Sequence, residues 1–207
     1  MHRLLAWSED VASWRREVVA LYADVRDEPD SAAAHAMWVT RRVELFERHP
    51  ASARQPGQTL RHAPYDPAYR FVVTPTAAEP ESWRPTTGSD GEVAFERAGR
   101  LDVPDLGGLD VWWLASYGNG IFVPLRDTTA GRTTYGAGRY LLDTVKGADL
   151  GREGGAWVVD LNFAYNPSCA YDPAWACPLA PAGNRLTADV PVGELQPARP
   201  NRLVEDP

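Results

Sequence analysis

The sequence predicts a mainly β fold of the α+β class: an antiparallel β barrel or sandwich with two N-terminal helices packed outside it. Two observations lead to this prediction. Apolar residues recur at three- and four-residue steps only in the first 50 residues. After residue 64, short β-branched and aromatic runs alternate with turns, and no helical pattern separates them. Strands that follow one another without helices pair antiparallel, which excludes a βαβ fold.

The pattern divides the 207 residues into three parts. Residues 1–50 are expected to form an N-terminal helical segment, and residues 51–196 a β domain. Residues 197–207, rich in proline and charge, are expected to be a flexible tail. This length is sufficient for one domain with a substantial core.

The charge balance argues against two classes of partner. Lys and Arg number 21 and Asp and Glu 28, a formal net charge of −7. Nucleic acids and anionic membranes are bound by basic surfaces, so neither is expected. No apolar run approaches the roughly 20 residues of a membrane span, and the N-terminus lacks the features of a signal peptide. We therefore expect a cytoplasmic protein, and the oligomeric state stays open, a homodimer included.

Two helices are expected before residue 50. The first covers residues 8–26, where apolar residues form one stripe and Ser8 or Asp10 can cap the start. The second covers residues 31–48, with Ser31 as its cap and a proline just beyond its end. Both helices are expected to pack against the sheet.

The remaining elements are expected to be strands, and the clearest is a hairpin. A Tyr-Gly-Asn-Gly turn at residues 117–120 separates its two apolar runs. Residues 76–91, with several prolines and glycines, are expected to be a surface connection. The expected strands cover residues 69–73, 93–103, 111–115, 121–125, 133–142, 156–163 and 186–192.

Polar residues interrupt the apolar run of the strand at residues 156–163. Period-two alternation places Val158, Asp160 and Asn162 on one face of this strand. A buried acid and amide need partners. The available counter-charges are Arg126, Arg139 and Arg185.

Two interpretations of these residues stay open. In the first, Arg126 and Arg139 bind an anionic substrate, and Asp160 is the base or hydrogen-bond acceptor. Tyr135 is then a second candidate for proton transfer. In the second, the same residues form an internal network that locks two strands together.

The loop at residues 165–178 is expected to form the wall of the polar pocket. It is rich in aromatic and turn-forming residues, which suit ligand contact. The candidate ligand-binding residues, besides the two arginines, are Asn162, Tyr165, Asn166, Tyr171 and Trp175.

The two cysteines, Cys169 and Cys177, belong to this loop and allow three interpretations. They can be small buried thiols, a redox-active or structural disulfide, or half of a metal site. Their spacing matches no common zinc motif, so a metal would need His49, His62 or a carboxylate from elsewhere. No metal ligand set is therefore assigned.

Common catalytic signatures are missing from the sequence. It has no Gly-x-Ser-x-Gly, no His-Glu-x-x-His and no Walker A pattern. Gly136-Ala137-Gly138 lacks the third glycine and the helix of a dinucleotide loop. No cofactor is identified, and these absences argue against the common hydrolase and nucleotide-hydrolysing classes.

Several runs resemble the domain of unknown function 1684 family over residues 38–192. The C-terminal runs are RD at 126–127, TYGAGRYL at 134–141, DLNFAYNP at 160–167, CAY at 169–171, CPL at 177–179 and NRL at 184–186. The earlier runs are LF at 45–46, HPAS at 49–52 and PYDPAYR at 64–70. The family is uncharacterised, so the resemblance implies no catalytic residues. Some members look like lipoproteins, but this sequence lacks their lipobox.

Three hypotheses of function follow. The first is an enzyme that acts on a small anionic metabolite in a polar pocket of the β domain. The second is a non-catalytic module that binds a small ligand or a partner through the aromatic loop. The third is a thiol or metal site at the cysteine pair.

Overall fold

The computed structural model describes residues 2–87, 91–175 and 177–198. Within these residues, two helices precede ten short strands. The sheets are antiparallel, and the largest curls into a half-barrel. The predicted fold class, mainly β within α+β with two N-terminal helices, is confirmed.

Helix α1 spans His2–Asp27 and is longer than the predicted helix at residues 8–26. The helix continues through Ser8 and Asp10, so neither residue caps its start. Ser8 Oγ instead donates to the carbonyl of Leu4 within the helix, at 2.8 Å. The predicted cap was wrong because a side-chain hydroxyl can also bond back to the preceding turn.

Helix α2 spans Ser31–Arg48, as the sequence predicts. Its cap is one residue earlier than expected, because the Asp30 side chain accepts hydrogen bonds from the backbone N–H groups of Ala32 and Ala33. A carboxylate at this position satisfies two unpaired donors of the first turn. The helix buries Trp38 completely against the β domain.

The strands are short, and their bounds are as follows: β1 Arg70–Val73, β2 Ser82–Trp83, β3 Thr86–Thr87, β4 Gly91–Glu92, β5 Phe95–Val103, β6 Gly107–Leu114, β7 Ile121–Leu125, β8 Arg139–Asp143, β9 Arg152–Glu153 and β10 Ala156–Asp160. The main sheet has the order β2-β5-β6-β7-β8, a second sheet has the order β1-β10-β9, and β3 pairs with β4. Register shifts in β5 and β7 bend the main sheet.

The predicted hairpin is present as β6 and β7, but three other strands differ from prediction. Residues 133–138 form turns, so the strand expected at 133–142 begins only at Arg139. The strand expected at 156–163 ends at Asp160, where a 3-10 helix begins. Residues 186–192 form no strand.

The predicted surface connection and tail reach beyond the described residues. Residues 88–90 of the connection lie outside them, and its flanks form β2, β3 and β4. Residues 199–207 of the tail also lie outside them. Ala198 is described and exchanges two backbone hydrogen bonds with Thr59, each of 3.2 Å.

One apolar core joins the helices to both larger sheets. The two helices contribute Leu21 and Trp38, which pack into the same cluster as the strand residues. Its fully buried strand and turn residues are Leu101, Leu109, Val123, Leu125, Leu141, Val159 and Leu161. Among the described helices, none combines the length and apolarity needed to cross a membrane.

Residues 185–198 form an extended segment, the C-terminal strap, that Arg139 holds in place. Arg139 is buried, and its guanidinium pairs with Asp127 at 2.9 Å. The same group donates to the strap carbonyls of Val190, Val192 and Glu194. Within residues 186–192, the carbonyls of Val190 and Val192 thus bind a guanidinium in the place where a strand partner was expected.

The strap also binds helix α2 through a second buried ion pair. Glu194 Oε2 accepts from Arg42 Nη2 at 2.9 Å and Nε at 3.2 Å. The same oxygen accepts from the backbone N–H of Asn166 at 2.9 Å. The strap therefore joins helix α2, strand β8 and the loop after Tyr165.

We predict that Arg139→Met lowers the free energy of unfolding by about 3–5 kcal/mol, because it leaves the carboxylate of Asp127 buried without its counter-ion. Arg132→Met is the matched control, since the Arg132–Asp189 pair is exposed on both sides. Its cost should stay within about 1 kcal/mol. Urea unfolding of both variants measures the difference. Equal small losses would show that the buried pair does not hold the strap.

Candidate functional site

A polar cavity of about 150 Å³ lies between the turn that joins the helices and the sheet β1-β10-β9. An engineered cavity of about this size in another protein holds benzene, so the space suits a ligand of about six heavy atoms. Its charged and polar lining residues are Arg26, Glu28, Ser31, Arg70, Glu153 and Asp160.

Asp160 lies at the point where strand β10 turns into the 3-10 helix Leu161–Phe163. Its Oδ1 accepts from the backbone N–H of Asn162 at 3.0 Å and from Asn162 Nδ2 at 2.8 Å. These two bonds fix the carboxyl group at the end of the strand. Asp160 and Asn162 were predicted to share one face of a strand; in the structure the strand ends at Asp160, and a helical turn brings the two side chains into contact.

The second oxygen of Asp160 is held only loosely. Among the described residues, Oδ2 meets the Tyr65 hydroxyl at 3.5 Å and Arg70 Nε at 3.9 Å. Both distances exceed those of a strong charge-assisted hydrogen bond. The carboxyl group therefore has one fixed oxygen and one oxygen that retains capacity for a further donor.

Burial raises the pKa of the Asp160 carboxyl, because the charged form loses its hydration. The hydrogen bonds from Asn162, the charge of Arg70 and the Tyr65 hydroxyl oppose this rise without cancelling it. A carboxylate with a raised pKa is a better proton acceptor near neutral pH than an ordinary one.

A reciprocal pair of hydrogen bonds places Tyr65 beside Asp160. Asn162 Oδ1 accepts from the backbone N–H of Asp66 at 2.9 Å, and Asn162 Nδ2 donates to the Asp66 carbonyl at 2.8 Å. Asp66 then caps the short helix Pro67–Tyr69. Burial, followed by the charge of Asp160, raises the pKa of Tyr65, so its hydroxyl stays protonated.

Two arginines bring positive charge to the cavity. Arg70 Nη2 pairs with Glu153, and its Nε faces Asp160. In the part of the chain that the structure describes, its Nη1 has no partner. Arg26 Nη1 donates to the carbonyl of Asp149 at 2.7 Å. Both guanidinium groups are thus anchored while keeping further donors.

The structure separates Asp160 from the arginines that the sequence offered as its partners. The described contacts of Arg139 are with Asp127 and the strap, and Arg126 Nε donates to the carbonyl of Gly136 at 3.0 Å. Tyr135 donates to the carbonyl of Cys169 at 3.2 Å. The predicted assembly around Asp160 was wrong, because these three side chains are bound elsewhere and do not line the cavity.

The aromatic loop is also divided between different environments. Tyr165 and Asn166 line a second cavity, between the helices and this loop. Tyr171 is buried, with its ring 5.0 Å from that of Phe46. Trp175 is 41% exposed at the rim of another depression. The loop therefore does not form the wall of the Asp160 cavity.

Sequence reasoning missed Arg26, Ser31 and Arg70 as cavity residues, and Tyr65 as a contact of Asp160. One signal was available, since the Asp-Pro turn after Tyr65 stands out in the sequence. The spacing in the sequence does not show that this turn forms hydrogen bonds with the side-chain amide of Asn162. Among the described residues, no three His, Cys, Asp or Glu side chains lie together as a metal site.

The fold and cavity define a small mainly β protein with a helical layer and a buried carboxylate in a polar cavity. The chain belongs to the family of proteins of unknown function DUF1684, whose model matches residues 58–195. This confirms the resemblance seen in the sequence, although the match begins after helix α2.

One solved structure is similar over most of its length. It is the solution NMR structure of an uncharacterized protein from gene locus rrnAC0354 of Haloarcula marismortui. The two chains are 31% identical, with a TM-score of 0.54, over 75% of this chain and 89% of that one. None of the curated proteins matches this chain.

We predict that Asp160→Asn becomes more stable relative to the wild type as the pH rises. A raised pKa in the folded state means that this group stabilises the fold fully below its unfolded value of about 3.9. That contribution is lost as the pH rises through the folded pKa. Urea unfolding of both proteins across this interval measures the change.

Asp172→Asn is the matched control, because Asp172 also accepts a backbone N–H two residues further on, at 2.9 Å. A stability of Asp160→Asn relative to the wild type that stays constant, or that falls, as the pH rises would contradict the raised pKa.

Proposed function

We propose that the Asp160 cavity binds a small metabolite with an anionic group and that Asp160 transfers a proton to or from it. The loosely held Oδ2 of Asp160 is the observation that carries this proposal. A carboxylate fixed through one oxygen is oriented, and its other oxygen accepts a ligand hydroxyl or amine at little reorganisation cost.

The charges of the cavity support a ligand with two kinds of polar group. Arg70 keeps a donor for a carboxylate, and guanidinium–carboxylate pairing is directional and strong. Glu28, Glu153 and Asp160 are acceptors in the same cavity, so a purely anionic ligand meets repulsion. A small hydroxycarboxylate or amino acid satisfies both the donors and the acceptors.

This proposal keeps the first hypothesis from the sequence but assigns the binding of the anionic group to different arginines. Arg70 and Arg26 take the place of Arg126 and Arg139. The alternative is a non-catalytic module, in which the same cavity binds the ligand and Asp160 only accepts a hydrogen bond.

We further propose a cytoplasmic location, which suits two free thiols. The homodimer stays a prediction, which light scattering at several concentrations tests.

We predict that Arg70→Met weakens the binding of a small hydroxycarboxylate about tenfold or more, because a charge-assisted contact contributes about 1.5–3 kcal/mol. Arg41→Met is the matched control, since Arg41 also pairs with one surface carboxylate but lies away from the cavity. Saturation-transfer NMR with a panel of hydroxycarboxylates, amino acids and unsubstituted carboxylates gives the affinities. Equal effects of the two arginine variants would contradict the proposed site.

We predict that Asp160→Asn abolishes turnover of the bound compound while the protein still unfolds cooperatively. Product formation by mass spectrometry, at saturating ligand, measures turnover. Binding that persists in the wild type without any product would select the non-catalytic alternative. Turnover that survives in Asp160→Asn would remove Asp160 as the proton-transfer group.

A further inference from the structure

The two cysteines lie together beside the second cavity, away from Asp160. Both are free and partly buried. The side chains of Cys169 and Cys177 are close enough to change each other's ionisation, although seven residues separate them in the chain. The short helix Ser168–Ala170 turns the chain at the first cysteine and so folds the loop back on itself.

Cys177 lines this second cavity, which has a volume of about 70 Å³. It shares no lining residue with the Asp160 cavity. Two deeply buried polar atoms of its lining, Asn166 Oδ1 and Tyr22 Oη, lack a partner with hydrogen-bond geometry among the described residues. Trp38 Nε1 approaches the Tyr22 hydroxyl without reaching that geometry. Unsatisfied buried polar atoms in a cavity can bond a water molecule or a polar group of a ligand.

The surroundings of Cys177 favour its thiolate. The neighbouring Cys169 thiol and backbone N–H stabilise it, and the positive charge of Lys146 adds to this effect. Together they lower the pKa of Cys177 to about 6 despite its burial. The same contact raises the pKa of Cys169, which stays a thiol beside its ionised neighbour.

We propose that Cys177 and Cys169 are the attacking and resolving thiols of a site that reduces small disulfides. This combination, a stabilised thiolate on a cavity with a second thiol in contact with it, is the arrangement that thiol–disulfide exchange requires.

The exchange balances in two steps. The Cys177 thiolate attacks one sulfur of the small disulfide, forms a mixed disulfide and releases the other half as a thiolate. Cys169 then loses its proton to that thiolate or to water, and its sulfur attacks Cys177. The second half leaves as a thiol. One small disulfide is reduced to two thiols, and the protein dithiol is oxidised to one disulfide.

The expected advantage of Cys177 can be estimated near pH 6. About half of this thiol is ionised there, against roughly 0.3% of an ordinary thiol with a pKa near 8.5. Its lower basicity reduces the intrinsic nucleophilicity by about tenfold. The net rate advantage over an ordinary thiol is therefore about tenfold at this pH.

The test uses 5,5′-dithiobis(2-nitrobenzoate) as the small disulfide, with the coloured thiolate and the intact protein mass as readouts. The wild type should release two equivalents per chain and end two hydrogens lighter, without a retained adduct. Cys169→Ala should release one equivalent and keep the adduct on Cys177. Two retained adducts on the wild type would overturn the proposal.

The pH profile separates a reactive pair from two merely accessible thiols. The reaction of wild-type Cys177 should have its inflection near pH 6, and Cys169→Ser, which keeps a donor, should shift it less than Cys169→Ala. Cys177→Ala should leave Cys169 at least about tenfold slower near pH 6. Equal rates for the two cysteines at this pH would overturn the proposal.

A measurement on the wild type alone guards against variants that fail to fold. Limiting iodoacetamide near pH 6, followed by peptide mapping, should label Cys177 about tenfold more than Cys169. Equal labelling, or preferential labelling of Cys169, would overturn the assignment of roles.

Discussion

The buried guanidinium of Arg139 is the interaction on which the rest of the structure depends. It pairs with Asp127 and donates hydrogen bonds to three carbonyls of the C-terminal strap, a segment that forms no sheet of its own. Desolvating such a pair is costly, and it is tolerated only where further hydrogen bonds satisfy both partners. Here Asp127 also accepts from the backbone N–H groups of Thr129 and Val190, so the ion pair belongs to a satisfied network.

The strap, in turn, positions both candidate sites. The carbonyl of Gly193 accepts from the backbone N–H of Ala63, in the segment that leads to Tyr65. The backbone of Gly193 has a φ of +78° and lies so close to the carbonyl of Ala164 that a Cβ would approach it to 2.6 Å. On the opposite side, Glu194 binds Asn166 in the wall of the cysteine cavity. A rigid scaffold of this kind is what precise placement of loop residues requires.

The sequence predicts local features well and tertiary partners poorly. The ends of α2, the hairpin β6–β7 and the class of fold follow from periodicity and turn chemistry, which act over a few residues. The sequence placed Asp160 and Asn162 on one face of a strand, whereas in the structure a 3-10 turn brings them into contact. Their partner Arg70 was not expected, because strand pairing between β1 and β10 brings it there from 90 positions away. The spacing of residues in the sequence contains no information about such strand pairing. The sequence therefore offered arginines nearer in the chain as counter-charges for Asp160.

The measurement that tests the central claim most directly is a titration of the labelled protein with a small hydroxycarboxylate, followed in proton–nitrogen NMR spectra. We expect saturable shifts at the backbone amides of Ser31, Tyr65 and Arg70, with the amides of the exposed Arg132 turn unchanged. Saturable shifts confined to residues away from this cavity, or no shifts with any compound of the panel, would contradict the assignment of the Asp160 cavity as the ligand site.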